Sequence, residues 1–322
     1  MKIWLQQFIT IARLTALEAI RQPIGFLLFS TVLLLVALLP LVLSHTLGES
    51  ARFVRDGGLA FMWVAGLILG AHLASAALAD EIRRGTVSAV LSKPVQRWVF
   101  LLAKYVGIAS VMLLFCFGMT MAVLLSTRAA AQPYEVDWWG AGPLLAALAS
   151  AFMLAGLINF LLRRPFISTA YMTLMLLLTL AFGAGGLVHH EGGRMPFGDL
   201  YDWRVLPVAT LIALAILVLS GISVALATRL RTIPTLVGCG ALFFLGLLSD
   251  YYFGARAEAS ILASTLYHLL PNWQHFWVVD ALTGHGTVPW SYVAMVGGYA
   301  MLYLFGVLLL GLVAFRHMDV QA

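Results

Sequence analysis

Between two long apolar segments the chain reads Asp80-Glu81-Ile82-Arg83-Arg84-Gly85-Thr86-Val87-Ser88-Ala89-Val90-Leu91-Ser92-Lys93-Pro94-Val95-Gln96-Arg97. This run is the most densely charged part of the sequence, and most of its charges are basic: Arg83, Arg84, Lys93 and Arg97. A loop with such an excess of basic residues faces the cytoplasm by the positive-inside rule. The loop therefore predicts the orientation of the helices on either side of it.

The middle of this loop predicts a short amphipathic helix. Gly85 is suited to end the preceding membrane helix, and the Thr86 hydroxyl is suited to accept a free backbone N–H as an N-cap. Val87, Val90 and Leu91 follow at helical spacing and put three apolar side chains on one face. The proline after Lys93 disfavours helical backbone and ends the helix. Such a helix is suited to dock in a groove on a soluble partner.

Composition places the whole chain in a membrane. Of its 322 residues, 62% are hydrophobic and only 10% are charged, whereas a soluble domain carries about 25% charged residues. Several apolar runs reach the roughly 20 residues that a spanning helix needs. The sequence therefore predicts an all-α polytopic membrane protein, with residues 1–322 forming a single transmembrane domain.

The hydropathy pattern predicts eight spans, at about 24–44, 59–79, 99–125, 143–162, 166–188, 206–228, 233–249 and 291–315. This arrangement puts both termini and most of the 19 lysines and arginines on the cytoplasmic side, whereas seven spans would move Arg316 outside. Residues 1–22 alternate apolar and polar positions and predict an interfacial helix. Residues 80–98 form the cytoplasmic loop. Residues 250–290 form the largest external segment, with helices at or dipping into the outer leaflet and an expected interfacial belt of Trp273, Phe276, Trp277 and Trp290.

Several of these elements resemble one family. The patterns Glu81-x-x-x-Gly85-Thr86, Leu91-x-x-Pro94-Val95-x-Arg97 and Lys104-Tyr105-x-Gly107 are similar to the loop between the second and third helices of type-2 ABC-transporter permeases. Thr15-x-x-Glu18-x-x-Arg21 is similar to the N-terminal elbow helix of that family. The Leu269-Leu270-Pro271-Asn272 element and the closing Phe315-Arg316-His317-Met318-Asp319 resemble its C-terminal part. Many members of the family have six spans, so a count of eight departs from its pattern.

The resemblance implies a transport subunit without enzymatic activity of its own, which would move its substrate outwards as an exporter does. Its loop would be a coupling helix that docks on a cytoplasmic P-loop ATPase through Glu81, Gly85, Thr86, Val87, Val90, Leu91, Pro94 and Arg97. A second permease copy, identical or not, and membrane lipid are the other expected partners. ATP and Mg²⁺ would be bound by the ATPase, so no cofactor is expected in this chain. None of its lysines follows a glycine, as the phosphate-binding loop of an ATPase would require.

Polar residues at membrane depth are costly, and they suggest a pathway or an internal pair. His72, Ser75 and Asn159 are the candidates for lining a translocation path. The alternative for His72 is a neutral imidazole bonded to a neighbouring helix. The net charge of +5 reflects loop asymmetry and does not indicate nucleic-acid binding.

Two other functions stay open at the level of sequence. One is a membrane-embedded enzyme acting on lipid or lipid-linked substrates through external histidines such as His189 and His190. However, the spacing of a zinc-protease motif is absent, and interfacial histidines on a wet loop are the simpler interpretation, with no metal site. The other is a membrane scaffold for a periplasmic maturation factor.

Overall fold

The computed structural model describes residues 2–43, 48–83, 95–132, 135–256, 260–284 and 286–316. In this part of the chain the regular structure is helical, apart from one isolated bridge between Val188 and Arg194. In chain order the helices are α1 (Lys2–Ile20), α2 (Pro23–Val42), α3 (Ser50–Ala74), α4 (Asp80–Arg83), α5 (Arg97–Ala129), α6 (Trp138–Leu162), α7 (Phe166–Gly185), α8 (Val205–Ala227), α9 (Thr232–Leu247), α10 (Ser249–Tyr252), α11 (Ile261–Leu269) and α12 (Trp290–Arg316). A π-helical turn, Ser75–Ala79, joins α3 to α4 without a break.

Within the described ranges, seven helices are long and apolar enough to cross a membrane: α2, α3 with its extension, α5, α6, α7, α8 and α12. The expectation of a helical, multi-pass membrane protein is therefore confirmed. The predicted seventh span corresponds to α9, which has only 16 residues. At about 1.5 Å per residue this helix is roughly 24 Å long, against a hydrocarbon core of about 30 Å. Its length alone does not make it a span.

The directions of α8 and α12 show how far the chain travels between them. Gly221 of α8 faces Leu304, and further along Gly311 of α12 faces Ala225. Residue numbers therefore rise together, and the two helices run parallel. The chain must cover the length of the bundle between Ala227 and Trp290, and α9 supplies most of that distance.

The centre of the bundle is formed by α3, α5 and α8. Of their most apolar windows, 72% of the residues of α5 and α8 are buried, against 22% for α6, 28% for α7 and 17% for α12. Gly66 and Gly70 lie one turn apart on α3 and face Ile216 and Ser220, one turn apart on α8. Small residues at this spacing let two helix backbones approach closely where lipid offers no hydrophobic driving force. The outer helices expose apolar faces to their surroundings.

The segment before α12 enters the bundle. Three tyrosine hydroxyls of α12 form hydrogen bonds of 3.0 to 3.1 Å with the backbone of this segment. Tyr303 donates to the Leu269 carbonyl, Tyr299 accepts from the Asn272 N–H, and Tyr292 donates to the His275 carbonyl. Tyr303 lies midway along α12, about 20 Å from its first residue at the usual rise. The end of α11 thus lies beside the middle of α12, and the chain then runs along that helix towards its first residue. The segment therefore enters the helix bundle, and its depth in a membrane stays a prediction.

The prediction of an interfacial aromatic belt is wrong for two of its four residues. Trp273 and Phe276 are completely buried, and the Trp273 indole donates a hydrogen bond to the Leu242 carbonyl of α9 at 3.4 Å. These side chains anchor the returning segment between α9 and α12, because the segment sits inside the bundle and not on its rim. Trp277 is half-buried, and Trp290 is exposed as a belt residue would be.

The helix α1 packs directly on α5 at Gly107. A Cβ atom added there would lie 2.6 Å from the Ala12 carbonyl oxygen and 2.7 Å from the Thr15 Cβ. Thr15 is buried, whereas Trp4 and Leu14 on other faces of α1 are exposed. The predicted helix at 1–22 is therefore present, and its interfacial orientation stays a prediction.

Substitution of Gly107 tests this contact by the sign of its effect. We expect Gly107→Ala to lower the free energy of unfolding by about 1–3 kcal/mol, because the added methyl meets backbone that has to move. Gly183→Ala is the matched control, since nothing lies within 4 Å of Gly183 in α7. Alanine there should be neutral or stabilising by roughly 0.5–1 kcal/mol. Thermal unfolding of the purified proteins measures both, and effects of the same sign would contradict the packing of α1 on α5.

Cysteine accessibility tests the direction of the chain. Native Cys116 and Cys239 are buried, so background labelling should be low. We expect Gly193→Cys and Thr283→Cys to react with a membrane-impermeant maleimide in intact cells, because both positions are exposed at the face opposite the charged loop. Arg164→Cys should react only after lysis. Labelling of Thr283→Cys without Gly193→Cys would contradict the parallel arrangement of α8 and α12.

Candidate functional site

The candidate site is the base of the charged loop, by which we mean the ends of α4, α5 and α12 around it. The loop itself, residues 84–94, lies outside the described residues. Most of the predicted docking residues therefore lie there too: Gly85, Thr86, Val87, Val90, Leu91 and Pro94. Glu81 and Arg97 stand on the two sides of the loop and are described.

An ion pair joins the two sides of the loop. The Lys104 ammonium lies 2.6 Å from a Glu81 carboxylate oxygen, and the lysine side chain is only 3% exposed. The same ammonium lies 5.6 Å from the centre of the Phe100 ring, a favourable position for a cation. A buried amine is costly unless a carboxylate accompanies it. This pair therefore fixes α4 against the second turn of α5.

Arg97 joins the start of α5 to the end of α12. Its guanidinium donates hydrogen bonds to the carbonyls of Phe315 at 3.2 Å and Arg316 at 2.7 Å. The last carbonyls of a helix have no partner within it and attract cations. One turn further, the rings of Phe100 and Phe315 stack with their centres 5.9 Å apart. The helix α12 is thus held at the base of the loop.

These contacts connect the ends of several helices at the base of the loop. Three membrane-length helices meet there: α3 through its extension α4, α5 and α12. A force on the loop would reach all of them, because short polar contacts and a ring stack connect them. In the described part of the base, the ion pair, the carbonyl contacts of Arg97 and the ring stack connect the ends of three helices.

His72 and Ser75 lie where α3 changes its geometry. The Nε2 atom of His72 and the hydroxyl of Ser75 are buried, and neither has a hydrogen-bond partner among the described residues. Ser75 begins the π-turn, which contacts α1, α8 and α9. Such turns occur frequently at functional sites, and buried polar atoms without partners are rare. Both residues stay candidates for a path or for a movable contact.

Asn159 has a structural task in this fold. It is exposed in the last turn of α6, and its amide donates to the Arg164 carbonyl at 2.6 Å. Between them Arg163 adopts a left-handed backbone conformation, with φ of 52°. Asn159 therefore closes the tight turn between α6 and α7.

The sequence did not predict a buried ion pair that lies at the face of the bundle opposite the charged loop. The side chains of Arg128 and Asp137 are 1% and 2% exposed, and they meet at 2.9 Å. The guanidinium also donates to the carbonyls of Gly185 and, at 2.6 Å, Val188. Asp137 in addition accepts the Trp139 N–H as the N-cap of α6. The only signal in the sequence was an arginine in the last turn of an apolar helix shortly before an Asp-Trp-Trp helix start.

A second set of charges closes the same opposite face. Arg55, which is buried, lies 3.6 Å from Asp202 and donates to the Leu282 carbonyl at 3.4 Å. Arg204 bonds Asp202 at 2.7 Å and the Gly284 carbonyl at 3.0 Å. The hydrogen bond to Asp202 raises the pKa of Arg204. The starts of α3 and α8 are thereby tied to the segment before α12.

The histidines predicted to be external form no recognisable catalytic centre in the described residues. The rings of His189 and His190 lie 4.0 Å apart, and His190 is 3.8 Å from the exposed Glu191. Over the described ranges, no group of three or more His, Cys, Asp or Glu side chains is placed to hold a metal ion.

The chain matches no protein-family model, and no curated protein is significantly similar to it. Its functional interpretation therefore rests on the residues and contacts of the base. The multi-pass helical architecture is the frame for that interpretation.

A double-mutant cycle tests the ion pair of the base. We expect Glu81→Gln to lower the free energy of unfolding by about 1.5–3 kcal/mol, because it leaves a buried ammonium beside a neutral amide. The double variant Glu81→Gln/Lys104→Met should lose less, since no buried charge remains without a counter-ion. Both effects can be read from denaturant unfolding in detergent.

The control for this cycle is an exposed pair. Glu49 and Arg52 are 55% and 44% exposed and lie 3.3 Å apart. Glu49→Gln should change stability by less than about 1 kcal/mol, as surface ion pairs do. If the double variant loses as much stability as the single variants Glu81→Gln and Lys104→Met lose together, Lys104 and Glu81 are not coupled.

Proposed function

We propose that this chain is the membrane-spanning permease subunit of a bacterial ABC transporter of the type-2 class, acting as an exporter in the cytoplasmic membrane. The observation that carries the proposal is the base of the charged loop. Lys104 pairs with Glu81, and Arg97 holds the end of α12. A loop that only marked topology would not need to be joined to three membrane helices. A loop that receives force from a soluble motor would.

In this proposal the motor is a separate P-loop ATPase that binds ATP and Mg²⁺. It docks on residues 86–93, with Val87, Val90 and Leu91 at the centre of the contact. Closure of the ATPase pushes the loop, and the base passes the displacement to α3, α5 and α12. The π-turn at Ser75–Ala79 supplies a place where α3 can change its pitch.

The topology of the proposal has eight crossings. The short α9, extended by α10, carries the chain across between the parallel helices α8 and α12. Both termini then lie in the cytoplasm. The outer helices α6 and α7, with 22% and 28% of their apolar windows buried, leave faces for lipid and for a second permease copy.

Val90→Asp tests the coupling. The change places a charge without a partner at the centre of the docking contact, where interfaces are apolar and most sensitive. We expect the tagged permease, purified in mild detergent from its own host, to carry a P-loop ATPase and to hydrolyse ATP. The Val90→Asp protein should insert into the membrane and unfold like the wild type. The amount of co-purified ATPase and the rate of ATP hydrolysis should each fall at least tenfold.

Leu187→Asp is the matched control. Leu187 is half exposed at the opposite face, so the same chemical change there should leave the bound ATPase in place. Arg97→Ala should weaken association less than Val90→Asp, and its effect should be larger at low salt than at high salt, because salt screens charges at the rim of a contact. Wild-type protein that purifies without any P-loop ATPase, or Val90→Asp protein that retains it fully, would contradict the proposal.

A further inference from the structure

An apolar groove lies between α8, α9 and α12. Its volume is about 540 Å³, within the roughly 300–1,000 Å³ of small-molecule sites. Leu226, Leu242 and Val307 are among the side chains that line it. Leu269 and Tyr303 stand at one end of the groove and Ala314 and Arg229 at the other.

The length of the groove matches one leaflet of a bilayer. From Tyr303 to Ala314 the helix α12 rises about 16 Å, close to half of the roughly 30 Å hydrocarbon core. The groove is open to its surroundings, since Leu310 and Leu269 in its wall are 67% and 63% exposed. In a membrane, an open apolar groove of this length is solvated by acyl chains.

The end of the groove near the base is cationic. A second cavity of about 270 Å³ shares Arg229 and Leu230 with the groove and adds Thr228 and Arg231. Both arginines are exposed, and neither has an ion pair within the described residues. Arg231 directly precedes α9, whose first backbone N–H groups add partial positive charge. Among the described residues, no acidic side chain lines either cavity.

We propose that this groove is a binding site for an anionic phospholipid of the leaflet on the side of the charged loop. The lipid phosphate lies between Arg229 and Arg231, and one acyl chain runs along the groove towards Tyr303. Basic pockets between membrane helices bind anionic headgroups in this way. The bound lipid fills the gap beside the short α9 and connects it to α8 and α12. This site stands on its own cavity and charges and does not depend on the transport proposal.

Native mass spectrometry with defined lipids tests the headgroup contacts. Delipidated full-length protein is titrated with palmitoyl-oleoyl phosphatidylglycerol and, separately, with the corresponding phosphatidylcholine. We expect one tight phosphatidylglycerol site in the wild type and weaker binding of phosphatidylcholine. Arg229→Gln/Arg231→Gln should weaken phosphatidylglycerol binding about tenfold to thirtyfold, the effect of losing two cations at the membrane surface.

Two variants control for charge alone. Arg163→Gln/Arg164→Gln removes the same charge at the exposed turn between α6 and α7, away from the groove, and should bind lipid like the wild type. Arg229→Lys/Arg231→Lys keeps both charges and should retain the preference for phosphatidylglycerol. Thermal unfolding confirms that each variant is folded.

Two tryptophan variants test whether an acyl chain lies in the groove. Val307→Trp fills the groove and should weaken both lipids, whereas Val313→Trp on the exposed side of the same helix should weaken neither. If Val307→Trp does not fold, Leu310→Trp takes its place, because Leu310 lines the groove and is largely exposed.

The proposal is overturned if Arg229→Gln/Arg231→Gln binds phosphatidylglycerol as tightly as the wild type. An equal loss in Arg163→Gln/Arg164→Gln would overturn it as well, because binding would then follow total charge. If Val307→Trp changes the oligomeric mass and leaves lipid binding intact, the groove is an interface with a second copy and not a lipid site.

Discussion

A cation buried at the end of a membrane helix needs a carboxylate or carbonyl beside it, because its hydration has been lost. In the described part of the chain, the buried cations are Lys104, Arg55 and Arg128. Each pairs with a carboxylate, and each also marks a place where helix ends meet. Lys104 belongs to the base of the charged loop, and the two arginines belong to the opposite face. The arrangement of the helix ends is therefore determined by where these charges find their partners, while glycines and alanines set the approach of the helix centres.

The helix α12 connects the main features of the molecule although little of it is buried. Its tyrosines hold the returning segment at the middle of the bundle. Gly311 brings it against α8, and Arg97 holds its last carbonyls at the base. The same helix forms one wall of the groove between α8, α9 and α12. A movement of the loop and the occupancy of the groove would both act on α12, so under the proposed function lipid composition would influence coupling.

Apolar runs were sufficient to predict where the helices lie, because a spanning helix needs about 20 apolar residues whatever its neighbours are. The same criterion was least informative for α9, whose 16 residues fall short. For α9, the evidence that the chain travels the length of the bundle is the parallel packing of α8 and α12. That packing depends on contacts between residues far apart in sequence, such as Gly311 and Ala225. Trp273 shows the same limit. An aromatic residue in a long external segment is typical of an interfacial belt, but this segment returns into the bundle and buries the ring completely.

In the candidate site, too, some features follow from local sequence and others depend on how the helices pack. The sequence by itself determined the membrane class of the chain, the positions of the long helices and the charged loop between α4 and α5, because these follow from local composition. Only the tertiary structure decided that Glu81 is paired with Lys104, that Arg97 holds the end of α12 and that Arg128 is buried with Asp137. It also brought Arg229 to the mouth of an apolar groove formed by three helices. The physical reason is that a charge can be placed by sequence pattern at the end of a helix, whereas its partner depends on which helices pack beside it.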